Sequence, residues 1–193
     1  MGVEYELKFA ANPAAQRAIF EAFPGPWQRI SMETTYYDTP TGAMRQRHIT
    51  LRRRLENGRS VCTVKTPKGG FGRGEWETES DSIEAAISEL CKLGAPEELA
   101  ALASEGLISV CGARFTRLAA MADALNGTVE LALDEGILFA QNRQQPLCEV
   151  EVEMKTADEQ ATAHFAKILA EKYALTPEAR SKFRRALDLA EEN

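Results

Sequence analysis

The stretch Val3-Glu4-Tyr5-Glu6-Leu7-Lys8-Phe9 decides the fold of this chain. Side chains on a β-strand alternate between two faces, so Glu4, Glu6 and Lys8 share one face while the other face is apolar. A single strand of this kind is compatible with the edge of any small sheet. The same alternation recurs along the chain, however, and the recurrence is what indicates the architecture.

The predicted strand Leu147–Lys155 shows the pattern most regularly, because Glu149, Glu151 and Glu153 form an acidic face that is backed by aliphatic residues. A basic counterpart is predicted from Arg47 to Leu55. The sequence features that define it are the face formed by Arg52 and Arg54, the Asn57-Gly58 hairpin turn and the returning strand Ser60–Thr66, which carries Lys65.

Periodicity and turn residues predict the remaining elements. Further strands are expected over Glu33–Asp38, Arg73–Glu79, Thr128–Asp134 and Ile137–Ala140, with a turn at Asp134-Glu135-Gly136 and a loop over Asn142–Pro146. Helices are expected from Pro13 to about Phe23, from Asp81 or Ser82 to about Leu93, from near Pro96 to Ala103, from Ala157 to Tyr173 and onward from Thr176-Pro177-Glu178. The segment Ser109–Ala124 fits a helix or a strand, and we favour a strand because its neighbour needs a pairing partner.

The repeated combination of a charged face and an aliphatic face constrains the fold. The helices need an apolar surface to cover, and only the aliphatic faces of the strands offer one. The charged faces must then turn towards one another, which closing the sheet achieves while it removes the exposed edges. The sequence therefore predicts an α+β fold, in which a closed antiparallel β-barrel with a charged lumen carries helices packed on the outside.

A lumen lined with both signs of charge is costly to desolvate when it is empty. Arginine and lysine bind phosphate oxygens, and clustered carboxylates bind a hard cation such as Mg²⁺ or Mn²⁺. The pattern therefore favours a polyanion together with a divalent cation. The alternative interpretation is a sheet that is stabilised by cross-strand ion pairs alone.

Composition excludes several classes of protein. The length of 193 residues suits one domain, and no run of about 18 apolar residues predicts a membrane span. The N-terminal residues do not resemble a secretory leader, and the four scattered cysteines indicate reduced thiols rather than disulfides or zinc ligands, so we expect a cytoplasmic protein. The net charge of −6 argues against nucleic-acid binding.

Several motifs in order along the chain resemble those of the CYTH, or triphosphate tunnel metalloenzyme, superfamily. They are the ExExK run Glu4–Lys8, Tyr37-Asp38-Thr39-Pro40, Leu51-Arg52-Arg53-Arg54, Thr63-Val64-Lys65, Asp134-Glu135-Gly136, Glu149-Val150-Glu151-Val152-Glu153 and Ser181-Lys182. The resemblance covers essentially residues 1–193 as a single CYTH domain. It is greatest to the bacterial inorganic triphosphatase branch, whose members often carry a following helical CHAD domain.

The resemblance implies a closed barrel of about eight strands that binds triphosphate compounds with Mg²⁺ or Mn²⁺. It implies metal ligands at Glu4, Glu6, Asp134, Glu149, Glu151 and Glu153, and phosphate-binding residues at Lys8, Arg52, Arg54, Lys65, Arg73, Arg114, Arg117 and Lys182. The catalytic residues it implies are Glu4, Glu6, Lys8 and Lys65, with Glu75, Glu77 and Glu130 as weaker candidates for positioning metal or water. Salt-bridge roles are the alternative for Arg73, Arg114 and Arg117, and we expect packing rather than ligand-binding roles for Tyr36 and Tyr37.

The function that follows from the resemblance is metal-dependent hydrolysis of inorganic triphosphate to diphosphate and phosphate. The alternatives are a thiamine triphosphatase, a nucleoside triphosphatase, a class IV adenylyl cyclase, and a non-catalytic polyphosphate-binding module. Expected partners are the triphosphate or polyphosphate itself, a CHAD domain in a longer form of the chain, and a second copy in a homodimer.

Overall fold

The structure is a computed structural model that describes residues 5–67 and 73–191, with only the backbone described for Pro67 and Arg73. The predicted site residue Glu4, the glycine-rich loop before Arg73 and the Arg73 side chain lie outside this description. The elements, in chain order, are β1 (Glu6–Ala10), α1 (Pro13–Ala22), β2 (Gln28–Asp38), α2 (Ala43–Gln46), β3 (Thr50–Glu56), β4 (Arg59–Pro67), β5 (Arg73–Glu79), α3 (Ile83–Lys92), α4 (Glu98–Ala103), β6 (Ile108–Ala124), β7 (Gly127–Ala140), β8 (Arg143–Met154), α5 (Glu159–Tyr173), β9 (Thr176–Pro177) and α6 (Lys182–Glu191).

The strands form one antiparallel sheet in the order β5-β4-β3-β2-β6-β7-β8-β1-β9, which confirms the α+β class. The prediction of a closed barrel with about eight strands is wrong, because the sheet has nine strands and no pairing within the described residues joins β5 to β1 or β9. The two-residue strand β9 covers the free edge of β1 and ends in Pro177, which has no backbone N–H to continue the ladder. The sheet nevertheless curls strongly, since β1, β3, β4, β6 and β8 all contribute side chains to one cavity.

The long strands β6, β7 and β8 form the centre of the sheet. Ser109–Ala124 is a strand, as predicted. The predicted turn at Asp134-Glu135-Gly136 and the loop over Asn142–Pro146 are wrong, because β7 continues to Ala140 and β8 already starts at Arg143. Gly136 serves close packing within the strand, since a Cβ there would lie 2.5 Å from the Cα of Phe115, its cross-strand neighbour.

In the part of the chain that the structure describes, five helices cover the aliphatic outer faces of the strands, as predicted, and they form two groups. Helices α1 and α5 pack on the outer face of β1, β7 and β8 around Ile19, Leu131 and Val152. Helices α2, α3 and α4 pack on the outer face of β3 and β4 around Leu51 and Val64. No helix within the described residues is both long enough and apolar enough to cross a membrane.

Helix α6 departs from the predicted outer placement. It begins at Lys182 rather than near Thr176, and it packs on the inner face of the sheet, where Ala186 and Leu187 contact an apolar patch that includes Met32 and Phe115. The inner faces of β2, β6 and β7 are apolar at this end, so they offer α6 a surface that the charged alternation elsewhere does not. One end of the curled sheet is thereby filled by a helix.

The start of α1 gives a direct test of the local structure. The Asn12 side chain accepts a hydrogen bond from the Ala15 backbone N–H at 2.9 Å. We expect Asn12→Ala to lower the free energy of unfolding by about 1 kcal/mol, while Asn12→Ser, which keeps a capping oxygen, changes it little. Urea unfolding of both variants would measure this, and an equal loss in the two would contradict the capping role.

Candidate active site

A cavity of about 210 Å³ opens on the inner face of the sheet. Its basic lining residues are Lys8, Arg52, Arg54, Lys65, Arg117 and Lys182, its acidic ones are Glu6, Glu151 and Glu153, and the remainder are Tyr36, Thr50, Ser181 and Phe183. The structure therefore gathers predicted site residues from β1, β3, β4, β6, β8 and α6 at one place. Alternation along each strand explains this, because the neighbours of these residues, such as Leu7, Leu51 and Val152, pack in the outer apolar clusters.

The basic side of the cavity is built on β3 and β4. The guanidinium of Arg54 donates from Nε to Thr34 Oγ1 at 3.0 Å, and Lys65 Nζ lies 3.3 Å from Glu75 Oε1. Arg52 Nε is buried and has no hydrogen-bond partner among the described residues. Burial and the neighbouring Arg52 charge lower the pKa of Arg54 to about 10. Within the described residues, the carboxylates in contact with these three cations are Glu56, 3.7 Å from Arg54, and Glu75, which Arg52 and Lys65 share. Such an excess of positive charge favours a bound anion.

The opposite side is an acidic row where β1 pairs with β8. Glu6 lies directly across from Glu153, and Lys8 lies across from Glu151. Like charges opposite each other destabilise a sheet unless a cation lies between or beside them. Lys8 Nζ contacts Glu6 Oε1 at 3.1 Å, and Lys155 Nζ contacts Glu153 Oε1 at 2.8 Å, so each carboxylate of the pair has one lysine partner. Both carboxylates still line the open cavity.

Beneath the acidic row lies a buried ion-pair network that links α6 to β6, β7 and β8. Lys182 Nζ contacts Asp134 Oδ2 at 2.8 Å and Glu151 Oε1 at 2.7 Å, and it also donates to Glu149. Arg117 binds both oxygens of Asp134, each at 2.8 Å, and also donates to Glu151. Arg185 Nη1 donates to Glu149 Oε2 at 2.5 Å.

Burial and the opposing charges set the protonation of this network. Burial raises the pKa of Glu149 to about 7, and the nearby Glu151 carboxylate adds to the rise although Lys182 opposes it. Burial alone would raise the pKa of Glu151 too, but Lys182 and Arg117 hold it well below its usual range. Burial likewise opposes the charge of Lys182, yet the surrounding carboxylates raise the pKa of its ammonium. Lys182 and Glu151 are therefore charged near neutral pH.

The same network contains the acidic cluster that could hold a metal ion. Oxygens of Asp134, Glu149 and Glu151 lie within 4.8 Å of one another. Lys182 Nζ contacts all of them, and with Arg117 and Arg185 it balances the negative charge. A cation bound at this cluster would therefore have to displace the ammonium.

Some predicted site residues lie elsewhere. Arg114 is three positions from Arg117, an odd spacing that puts the two side chains on opposite faces of β6. Arg114 is exposed on the outer face, where it contacts Glu33 at 3.4 Å and lies over the ring of Phe139. Arg117 lines the cavity, whereas Arg114 does not.

The acidic residues of β5 and β7 border the site without lining the cavity. Glu75 contacts Lys65 and Arg52, Glu77 accepts a hydrogen bond from Thr63 at 3.3 Å, and Glu130 lies 3.7 Å from Lys155.

The structure also brings residues to the site that the sequence analysis did not assign to it. Tyr36, for which packing was expected, and Phe183 line the cavity with ring centroids 5.0 Å apart, and Arg185 completes the buried network. The spacing of Lys182 and Arg185 on one face of a helix could have indicated that both point the same way. Tyr36 and Arg52 are cross-strand partners, so the alternation also places Tyr36 inside once the register is known.

Comparison with known proteins agrees with this arrangement. The model of the CYTH domain matches residues 2–187. The chain belongs to the CYTH domain family.

Among curated proteins, an inorganic triphosphatase of Haemophilus influenzae is 26% identical over 179 residues, which cover 86% of this chain and 49% of that protein. The chain thus spans about half the length of that curated relative.

Solved structures share the fold. The PH1819 protein of Pyrococcus horikoshii superposes with a TM-score of 0.65 at 23% identity, covering 96% of this chain and 98% of that one. HpAC1 of Hippeastrum, described as a putative adenylyl cyclase with a dominant triphosphatase activity, superposes with a TM-score of 0.66 at 19% identity, covering 95% and 94% of the two chains. At these identities the likeness concerns the CYTH fold alone.

Removing the Lys182 ammonium tests the buried network. We expect Lys182→Met to lower the free energy of unfolding by about 3–5 kcal/mol, because it leaves buried carboxylates without their shared cation. The control is Arg184→Met on the same helix, where an exposed residue pairs with Asp188 and Glu191 and the loss should stay below about 1 kcal/mol. Chemical unfolding at pH 7 measures both, and comparable losses would rule out a special role for Lys182.

Proposed function

We propose that this CYTH domain hydrolyses inorganic triphosphate to diphosphate and phosphate with the help of a divalent cation. The observation that carries the proposal is the pairing, in one cavity, of an under-neutralised basic wall around Arg52 and Arg54 with the acidic row of Glu6 and Glu153. The basic wall suits a polyphosphate, and the acidic row suits a hard cation that accompanies it.

The size and lining of the cavity favour a ligand that consists of phosphate alone. At about 210 Å³ it is smaller than the 300–1,000 Å³ range of pockets for drug-sized molecules. Its lining is dominated by charged side chains, with Tyr36 and Phe183 as its aromatic members. Those two rings pack against each other, and Tyr36 is only 4% exposed, so its ring offers little surface to a purine or a thiazole. This supports inorganic triphosphate over nucleotides and thiamine triphosphate.

The carboxylates form a buried group and a cavity-facing group, and this difference suggests where a metal ion would bind. The buried cluster of Asp134 and Glu149 is already balanced by cations, whereas Glu6 and Glu153 face the cavity with one lysine each. We therefore assign Glu6 and Glu153, with the cavity-facing Glu151, as the described residues that would hold Mg²⁺ or Mn²⁺. Bound there, the ion would neutralise phosphate charge and acidify a water molecule.

In this proposal the basic residues bind and orient the substrate. Arg52, Arg54 and Lys65 hold phosphate oxygens and stabilise the charge that develops on the bridging oxygen as the bond to the terminal phosphorus breaks. The oxygen of a water molecule forms the new bond to phosphorus, and diphosphate leaves with the electron pair. Glu6, whose Oε1 lies 3.1 Å from Lys8 Nζ, accepts the proton of that water in this proposal. The name of the Haemophilus influenzae relative, inorganic triphosphatase, supports this reaction.

The first experiment measures phosphate release with Mg²⁺ and with Mn²⁺ from inorganic triphosphate, ATP, thiamine triphosphate and long-chain polyphosphate. We expect turnover of inorganic triphosphate to exceed the others and to stop when the metal is chelated. Higher turnover of ATP or thiamine triphosphate would contradict inorganic triphosphate as the substrate. Binding of all four compounds without turnover would indicate a polyphosphate-binding module rather than an enzyme.

Two adjacent arginines provide a matched test of the cavity. Arg52 lines it, whereas Arg53 points to the other face of β3 and donates to Ser60 Oγ at 2.8 Å. We expect Arg52→Ala to lower kcat/KM for inorganic triphosphate by about 10²–10³-fold, because it removes a donor to developing charge. Arg53→Ala should stay within about threefold of the unaltered protein, as expected for a surface change of about 0.5 kcal/mol. Steady-state kinetics decides, and equal losses would contradict the assignment of the inner face as the site.

A further inference from the structure

A second cavity, of about 540 Å³, lies on the outer face of the sheet and shares no lining residue with the first. We call it the outer groove. Its lining comprises Pro13, Gln16, Arg17, Phe20, Arg29, Thr116, Leu118, Leu133, Glu135 and Gly136. Helix α1 forms one wall, and β2, β6 and β7 form the floor, where Arg29, Leu118 and Leu133 are neighbours across the strands. Its volume falls within the range of small-molecule sites.

Both arginines of the outer groove lack a partner. Neither the Arg17 nor the Arg29 guanidinium makes a hydrogen bond or an ion pair within residues 5–67 and 73–191. Every other arginine whose side chain is described there, from Arg45 to Arg185, makes at least one such contact. Two guanidinium groups that face one cavity and pair with no carboxylate, although Glu135 lies in the same lining, favour an anionic group, and guanidinium binds phosphate in a bidentate manner.

Gln16 supplies a polar group at the bottom of the outer groove. The residue is only 7% exposed, and its Nε2 donates to the backbone carbonyls of Asp134 and Glu149 at 3.0 and 2.9 Å. Because two carbonyl acceptors require the NH₂ end of the amide, the orientation of the side chain is fixed. Its Oε1 accepts no hydrogen bond from the described residues, so it is available to a donor on a ligand. The carboxylate of Glu135 at the rim is a further acceptor.

Apolar surface completes the lining. Leu118 and Leu133 lie on the floor, and Phe20 is 43% exposed on the wall. The Phe20 ring is held by Trp27, with centroids 5.4 Å apart and planes tilted by 36°. An exposed ring that is fixed by a second ring offers a flat face on which a planar group of a ligand can stack.

We propose that the outer groove binds a nucleoside phosphate. Its phosphate would pair with Arg17 and Arg29, its base would stack on Phe20 above Leu118 and Leu133, and its N–H or O–H donors would bind Gln16 Oε1 and Glu135. Each part of this ligand has a counterpart in the lining, whereas an inorganic anion would leave the apolar surface and the acceptors unused. The groove is separate from the cavity of the proposed hydrolysis, so a result that contradicts one assignment does not contradict the other.

Calorimetric titration of the full chain with AMP and with GMP, in metal-free buffer, tests the proposal. We expect one of the two to bind, and the double variant Arg17→Ala/Arg29→Ala to weaken that binding by at least about tenfold, since hydrogen bonds to charged groups are lost. The matched control is Arg52→Ala/Arg54→Ala in the other cavity, which should retain the affinity within about twofold. Thermal melting of each variant, with both double variants melting close to the parent, verifies that they fold.

Three results would overturn the proposal. The first is that neither nucleotide binds, and the second is that binding depends on Arg52 and Arg54 instead of Arg17 and Arg29. The third is that inorganic phosphate alone binds as tightly as the nucleotide, which would leave Phe20 and the apolar floor without a role. Weaker binding of the free nucleoside and of free phosphate, each by about tenfold or more, would support the composite site. None of these readouts depends on triphosphate turnover.

Discussion

The contact on which the rest of the structure depends is the buried Lys182 ammonium, which bridges carboxylates of β7 and β8. A charge this deeply buried is tolerated only when it is paired and fully hydrogen-bonded. Lys182 is also the first residue of α6, so the requirement for pairing fixes where the helix starts and how it enters the curled sheet. The helix then closes one end of the cavity, which a sheet whose outer strands do not pair with each other within the described residues would otherwise leave open.

The acidic residues of β8 consequently have different tasks, although they look alike in the sequence. Glu149 is fully buried, bound by Lys182 and Arg185, and its pKa is raised to about 7. Glu153 lines the cavity opposite Glu6, and Glu151 lies between the two environments, in contact with the network and with the cavity. Along β8, the function of the acidic residues therefore changes from anchoring α6, at Glu149, to lining a surface that can bind a cation, at Glu153.

Alternation along single strands predicted most of this site, because the period of a strand alone decides which side chains share a face. It put Glu6 and Lys8 on one face of β1, and Arg52 and Arg54 on one face of β3, before any pairing was known. The assignment of these residues and Lys65 to one site came from the resemblance to CYTH domains. Alternation could not predict whether the sheet closes, since closure depends on edge pairing between β5 and β1 or β9, which lie far apart in the sequence. It also missed the inner position of α6, because apolar inner residues such as Phe115 lie among charged ones and become a patch only once the strands are aligned.

The cross-strand pair Asp134 and Glu149 is held from both faces of the sheet. On the inner face their carboxylates bind Lys182 of α6, and on the outer face their backbone carbonyls accept hydrogen bonds from Gln16 of α1. A displacement of either helix must therefore strain or break hydrogen bonds at the same pair of residues. Since Gln16 also lines the outer groove, a ligand there would contact the side chain that fixes the backbone beneath the acidic row. The fold thus supplies a short physical connection between its two cavities, made of one amide side chain and one strand pair.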